Sequence, residues 1–155
     1  SLLSKVMRIA LYQPDIAGNV GTILRLAACV GVPVDIIEPC GFAFSERGLR
    51  RSGMDYADGV ETTRHADWND FEAQLPGRLI LLSTKAAVPL WEAAFSPGDT
   101  LLFGSEGAGV PDLVHDRADL RVRIPMRPNF RSLNVAVSAG IALAEALRQT
   151  GGWPE

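Results

Sequence analysis

Three short stretches of this chain combine polar side chains with glycine or proline at spacings that leave backbone groups open to a ligand. The first, Asn19-Val20-Gly21-Thr22-Ile23-Leu24-Arg25, stands at the mouth of an apolar-striped helix. There Asn19 is expected to cap the helix through its side-chain oxygen, Gly21 admits a second backbone, and open N–H groups favour an anion such as phosphate. Arg25 lies off the apolar stripe and can reach over that mouth. Capped helices that follow strands are common, so this stretch taken alone fits a purely structural role equally well. The second stretch, Phe103-Gly104-Ser105-Glu106-Gly107-Ala108-Gly109-Val110-Pro111, places three glycines within six residues directly after an apolar run. Glycine permits positive φ and close approach of backbone to a ligand, and ligands of open α/β sheets sit beyond the carboxyl ends of strands. The order is not G-x-G-x-x-G and no Walker lysine follows, which disfavours a dinucleotide fingerprint and a P-loop. Glu106 is either a buried hydrogen-bonding anchor or an exposed turn residue. In the third stretch, Ile124-Pro125-Met126 leads to Arg131-Ser132-Leu133-Asn134-Val135-Ala136-Val137. Pro125 and Pro128 fix φ and remove two donors, so the remaining amides and carbonyls of Ile124, Met126 and Arg127 face a ligand or solvent. Ser132 or Asn134 is expected to cap the helix that follows.

The elements that must position these loops follow from periodicity. Met7 to Tyr12 is a β-prone run, Val20, Ile23, Leu24 and Ala27 repeat at helical spacing, Gly31 and Pro33 stop that helix, and Val34-Asp35-Ile36-Ile37 is a second strand. A strand, helix, strand unit builds a parallel sheet. Leu79-Ile80-Leu81-Leu82 and Leu101-Leu102-Phe103 are unbroken apolar runs, as interior parallel strands require, whereas Leu120-Arg121-Val122-Arg123-Ile124 alternates and fits a strand near an edge. Ser45 to Asp58 reads as a short helix with a loop, and Trp68 to Leu75 as a surface helix. From Leu133 to Leu147 the chain is apolar on nearly every face, which predicts burial all round, in the core or against a partner subunit.

Composition bounds the function classes. With 155 residues, 47% of them hydrophobic, the chain suits one compact domain over 7–150 with residues 1–6 as an N-terminal extension. No apolar run approaches the roughly 20 residues that span a bilayer and no leader pattern is present, so the expectation is a cytoplasmic protein with no membrane partner. Cys29 and Cys40 are too few and too loosely spaced for a metal site or disulfide framework, and read as small buried thiols. The net charge of −3 counts mildly against nucleic-acid binding, which depends on cationic contact with phosphate. Its distribution counts the other way: Arg47, Arg50 and Arg51, Arg64 beside His65, and Arg121, Arg123, Arg127 and Arg131 cluster near the candidate loops. For any one cluster, solvated salt-bridged arginines remain the alternative.

In their order along the chain, the three stretches resemble the motifs of the SPOUT superfamily of RNA methyltransferases: N-x-G-x-x-x-R at 19–25, F-G-x-E-x-x-G at 103–109, and Ile-Pro-Met with Ser-Leu-Asn at 124–134. Intervening segments extend the likeness to the short, single-domain TrmL type. These are Leu11-Tyr12-Gln13-Pro14, Ile36-Ile37-Glu38-Pro39, Gly41-Phe42, Leu49-Arg50-Arg51-Ser52-Gly53-Met54-Asp55-Tyr56 and Ser83-Thr84-Lys85. The resemblance therefore covers nearly the whole chain. Asn129-Phe130 departs from it, standing where close relatives are expected to carry a small polar pair, and this leaves the substrate contacts of that loop open.

The resemblance implies a single-domain α/β fold, a mostly parallel sheet with helices on both faces, and a C-terminal trefoil knot that binds S-adenosyl-L-methionine. It implies methyl transfer to the ribose 2′-hydroxyl of the wobble nucleotide of leucine tRNA isoacceptors, with S-adenosyl-L-homocysteine as product. Cofactor contacts carry over to Leu82, Ser83, Thr84, Gly104, Ser105, Gly109, Ile124, Met126, Ser132 and Leu133, and tRNA contacts to Arg50, Arg51, Arg127 and Arg131. Arg25 carries over as the essential arginine. A guanidinium scarcely deprotonates, so it suits clamping phosphate and stabilising the developing alkoxide, with Asn19, Glu106 and Asn134 as orienting groups. In-line attack on the methyl carbon needs the oxygen roughly 3–3.5 Å away, so positioning carries much of the catalysis and no metal is demanded. The terminal helix is expected at a homodimer interface that gathers arginines from two chains into one groove. The alternatives are the same chemistry at another tRNA or rRNA site, a nonenzymatic RNA- or nucleotide-binding module, and, more distantly, a Rossmann dehydrogenase.

Overall fold

Residues 5–43 and 59–155 are described by the computed structural model. The expected helix and loop of Ser45 to Asp58, with Arg47, Arg50 and Arg51, lie outside these residues. Among the described residues seven strands form one sheet: β1 (Arg8–Tyr12), β2 (Val34–Ile37), β3 (Thr62–His65), β4 (Leu79–Leu82), β5 (Val88–Pro89), β6 (Thr100–Phe103) and β7 (Leu120–Arg123). Their order is β3-β2-β1-β6-β4-β7-β5, and every neighbouring pair is parallel. Among the described residues four α-helices cover it: α1 (Ala17–Val30), α2 (Trp68–Ala73), α3 (Asp112–Arg117) and α4 (Val135–Thr150).

Alternation along each strand sends side chains to two separate cores. Ile9 and Leu11 of β1 join Ile36, Leu101 and Phe103 under α1 and α4, which contribute Val20, Ile23, Leu24, Ala139, Leu143 and Leu147. Ala10 and Tyr12 face the other way and join Ile37, Leu79, Leu81 and Leu102 under Trp68 and Phe71 of α2 and Val114 of α3. Helices thus lie on both faces, which is why β2, β4 and β6 are apolar throughout apart from Asp35 and Thr100. α1 ends where expected: Gly31 takes φ 74°, a left-handed conformation without cost for glycine, and donates its N–H to the Ala27 carbonyl.

β7 lies between β4 and β5, which are themselves joined by the short loop 83–87. That loop therefore straddles the carboxyl end of β7. Ser83 N–H donates to the Val122 carbonyl at 2.9 Å, and the Arg123 guanidinium donates to the carbonyls of Ala86, at 3.4 Å, and Ala87. The loop is held from below by the strand it crosses.

Several expectations are corrected. Cys29 is exposed and Cys40 half-buried, because Cys29 continues the solvent-facing row Thr22–Arg25 of α1 rather than its buried stripe. α2 is shorter than the expected surface helix and buries Trp68 and Phe71. α4 is not buried all round: Ala139, Ala142, Leu143, Ala146 and Leu147 are buried, but Val137 and Ile141 are 50% and 40% exposed. β3, β5 and α3 were not anticipated. The first reads Thr-Thr-Arg-His, too polar to signal a strand, and the other two are a two-residue strand and a six-residue helix.

Candidate active site

Beyond the carboxyl ends of β4, β6 and β7 the loops that follow them enclose an open cavity of ≈ 730 Å³. All ten residues expected to hold a cofactor line it: Leu82, Ser83 and Thr84 after β4, Gly104, Ser105 and Gly109 after β6, and Ile124, Met126, Ser132 and Leu133 after β7. The walls owe their shape to backbone. Ser105 and Gly109 exchange two backbone hydrogen bonds of 3.0 and 2.9 Å that close the glycine loop on itself, and the Ser105 hydroxyl accepts from Ala108 N–H at 3.2 Å. A Cβ on Gly104 would stand 2.7 Å from the Gly109 backbone, so only glycine allows that closure. On the β4 side the Ser83 hydroxyl accepts from Lys85 N–H at 3.2 Å, which bends the loop within the cavity wall.

At one edge of the cavity the three stretches are joined by side chains. Asn134 caps α4, its Oδ1 accepting from Ala136 and Val137 N–H at 2.8 and 3.2 Å, and its Nδ2 donates to Asn19 Oδ1 at 3.0 Å. Asn19 Nδ2 donates in turn to Glu106 Oε1 at 3.4 Å, and Glu106 Oε2 accepts from Asp15 N–H at 2.7 Å. Asp15 returns the contact, its Oδ2 accepting from Gly107 N–H at 3.1 Å. One relay thus links the mouth of α1, the glycine loop and the cap of α4, which lie far apart in sequence. Of the two readings offered for Glu106, the hydrogen-bonding anchor holds, although the residue is half-buried rather than buried.

The capping expected of Asn19 is not found. Ile16 is the N-cap of α1 and makes no side-chain cap, while Asn19 is already helical and turns its amide to the relay. Ser132 does not cap α4 either; Asn134 does. Arg25 does not line the cavity: it is an exposed residue of α1, about 9 Å along the axis from Asn19 at 1.5 Å per residue. Helical Cα–Cβ bonds tilt toward the N-terminus, so that of Arg25 is inclined toward the α1 mouth. Arg127 and Arg131 are exposed on the loop between β7 and α4, and Arg50 and Arg51 lie outside the described residues. Arg121 and Arg123 are engaged with backbone carbonyls, and Arg64 with Glu38 at 2.5 Å, so these three act within the fold.

Residues missed from sequence include Lys85, Asp112, His115, Ser138 and Ile16, all in the cavity wall. Asp112 and His115 share one face of α3 at i, i+3, and Ser138 stands one turn beyond Asn134, but a six-residue helix carries no periodic signal that would have shown the first pair. Near the relay, burial, reinforced by Glu38, pushes the Cys40 thiol up to about 11, with Arg64 opposing. Among the described residues no group of three or more His, Cys, Asp or Glu side chains is placed to hold a metal ion.

Known proteins resemble this chain over most of its length. The model of the SpoU rRNA Methylase family matches residues 6–144. A tRNA (cytidine(34)-2′-O)-methyltransferase of Beijerinckia indica subsp. indica is 56% identical over 146 residues, covering 92% of this chain and 91% of that protein. A solved structure described as giving insight into the 2-OH methylation of C/U34 on tRNA superposes with a TM-score of 0.89 at 40% identity, covering 96% of this chain and 99% of the other. An AdoMet-bound rRNA methyltransferase from Sinorhizobium meliloti superposes with a TM-score of 0.82 at 28% identity, over 94% of this chain and 57% of its own.

Proposed function

The chain belongs to the SpoU rRNA Methylase family, and on that premise we propose that it transfers a methyl group from S-adenosyl-L-methionine to the ribose 2′-hydroxyl of the wobble nucleotide, position 34, of leucine tRNA isoacceptors. The observation that carries this reading is the convergence of three separate motifs on one cavity, with Asn19, Glu106 and Asn134 hydrogen-bonded in a row along its edge.

The residues present fit the methyl donor. The cavity of ≈ 730 Å³ falls within the usual size of a small-molecule site, and its wall alternates apolar side chains with open backbone, as an adenosine requires. Leu82, Ile124, Met126 and Leu133 supply apolar surface, while Ser83, Thr84, Gly104, Ser105, Gly109 and Ser132 supply small side chains and backbone groups. When bound, the donor supplies an activated methyl group on a cationic sulfur, so the protein needs to position rather than to form a covalent intermediate. The relay holds the α1 mouth against the glycine loop and so fixes the helix that carries Arg25 relative to the cavity. Arg25 clamps the substrate phosphate and stabilises the alkoxide as it develops; Arg127 and Arg131, with Arg50 and Arg51, draw in the tRNA backbone.

Exposed Val137 and Ile141 along α4, with Leu133 just before its cap, support a homodimer through that helix. The loop 83–87 straddling β7 supports a knotted passage of the C-terminal segment. The methyltransferase domain spans 7–150 and works in the cytoplasm; among the described residues no helix is long and apolar enough to cross a membrane.

The test is transfer of labelled methyl groups to unmodified leucine tRNA, followed by mapping of the modified ribose. Label on the 2′-oxygen of nucleotide 34 is expected, and label at any other nucleotide redirects the substrate. Arg25→Ala is expected to keep cofactor affinity while turnover falls about a hundredfold, the scale of losing one charge-stabilising donor. Equal turnover in that variant, or no transfer by the wild type, overturns the reading.

A further inference from the structure

The turn Arg127-Pro128-Asn129-Phe130 has no part in the cavity wall or the relay. Pro128 fixes its own φ, Asn129 takes the left-handed region at φ 76°, and Phe130 N–H donates to the Arg127 carbonyl at 3.4 Å. Proline second and a positive-φ residue third define a type II turn, a geometry that holds its two ends together. Its closure brings Phe130 back to Arg127, whose guanidinium carbon stands over the ring, 5.8 Å from the centroid. The ring is nonetheless 66% exposed, whereas Phe71, Phe95 and Phe103 are at most 8% exposed. Met126 and Ser132, on either side of the turn, line the cavity, so the ring stands at its rim.

We propose that Phe130, backed by Arg127, is a stacking platform for an unpaired nucleobase of the substrate, at or beside the nucleotide whose ribose is methylated; this rests on the RNA-methylation reading above. Two arginines on the same loop, Arg127 and Arg131, are exposed and suit a phosphate-bearing partner. Single-stranded RNA is bound by laying bases on aromatic rings and guanidinium planes, and a pre-closed turn holds both without further ordering. The exposed patch on α4 differs in kind: Val137 and Ile141 are aliphatic and suit another protein surface, whereas an arginine-backed aromatic ring suits a base. The proposal also gives Asn129 a role, since the positive φ that closes the turn suits asparagine better than most residues.

The experiment uses the full chain with S-adenosyl-L-homocysteine and an anticodon stem-loop carrying 2-aminopurine at the target nucleotide, with binding followed by anisotropy and stacking by fluorescence quenching. Wild type is expected to quench the probe. Phe130→Ala is expected to lose the quench and weaken RNA binding about tenfold, within the range measured for single stacked bases. Phe130→Trp restores both and Phe130→Leu neither, while cofactor affinity and molar mass in solution stay unchanged in all three. Retained quenching in Phe130→Ala, a leucine variant equal to wild type, no RNA binding by wild type, or a change of molar mass marking Phe130 as a subunit contact would each overturn it. Because stacking is read without turnover, normal quenching with no methyl transfer sinks the catalytic reading alone.

Discussion

Two polar clusters tie elements of this sheet together, and only one of them borders the cavity. Asp35 in β2 accepts from the Arg8 guanidinium at 3.0 and 3.2 Å and stands 2.9 Å from His65 Nε2, so β1, β2 and β3 are joined by an aspartate, an arginine and a histidine. By residue type this is the better acid and base pair. Yet α2 lies over it: the Phe71 ring meets His65 edge-on at 5.3 Å, the His65 and Asp35 side chains are 3% and 7% exposed, and none of the three residues lines the cavity. His65 Nδ1 is buried and finds no hydrogen-bond partner among the described residues. The relay Asp15, Glu106, Asn19 and Asn134 is built from two amides and two carboxylates, yet it stands half-buried or exposed beside open backbone. What separates a site from a structural cluster here is access at the carboxyl ends of the strands, not the chemistry of the side chains.

The contrast can be broken most forcefully at Asp35. Asp35→Ala leaves a buried guanidinium without its carboxylate, an uncompensated charge that costs about 3–5 kcal/mol. In a chain of this size that lowers the melting temperature by on the order of 10 °C, while cofactor affinity of the folded protein in the cold is unchanged. Thermal unfolding with calorimetric cofactor titration checks both, and a loss of cofactor affinity in the cold would join the two clusters. Asn134 offers a sharper division. Asn134→Ala removes a cap worth about 1 kcal/mol in urea unfolding, and turnover is expected to fall about tenfold because Asn19 loses its tether. Asn134→Ser restores the cap but not the donor to Asn19, so stability recovers and turnover does not; recovery of both would reduce Asn134 to a cap.

The smallest effect concerns Cys40, close to the relay but held by burial. With its folded value at about 11 against an ordinary 9.0, the native chain keeps the proton that the unfolded chain releases. The stabilisation from the buried thiol is therefore complete below pH 9 and is lost as pH rises through 11. At pH 8.5 the native thiolate fraction is about a hundredfold below that of the unfolded chain, and alkylation read peptide by peptide should slow accordingly. Equal rates in native and urea-unfolded protein would show that burial does not govern this thiol.

Local pattern made much of this legible. The strand expected at 34–37 and the apolar runs at 79–82 and 101–103 coincide with β2, β4 and β6, and the 3.6-residue stripe of α1 is buried as its spacing requires. The ten cofactor positions came from motif resemblance, and they line one cavity. Short polar elements escaped for a physical reason: β3 is held by pairing with β2 rather than by its own apolar pattern, and α3 by packing Val114 against the second core. The cap role given to Asn19 failed because capping depends on where the backbone turns helical, one turn earlier than the side-chain types suggest.

Side-chain type and local backbone preference alone specify β1, β2, β4, β6 and β7, the buried stripe of α1, the closing glycines and the chemistry offered by each loop. What each polar group does is set by how the elements pack. Packing turns Asn19 from a cap into a link, Glu106 from one of two readings into an anchor, and Arg121 and Arg123 from a basic cluster into supports for carbonyls. It also hides the Asp35 and His65 pair beneath α2 and leaves Phe130 exposed on the loop between β7 and α4. A hydrogen bond between residues 115 positions apart, such as Asn134 to Asn19, is fixed by how the helices pack on the sheet, and no local pattern encodes it.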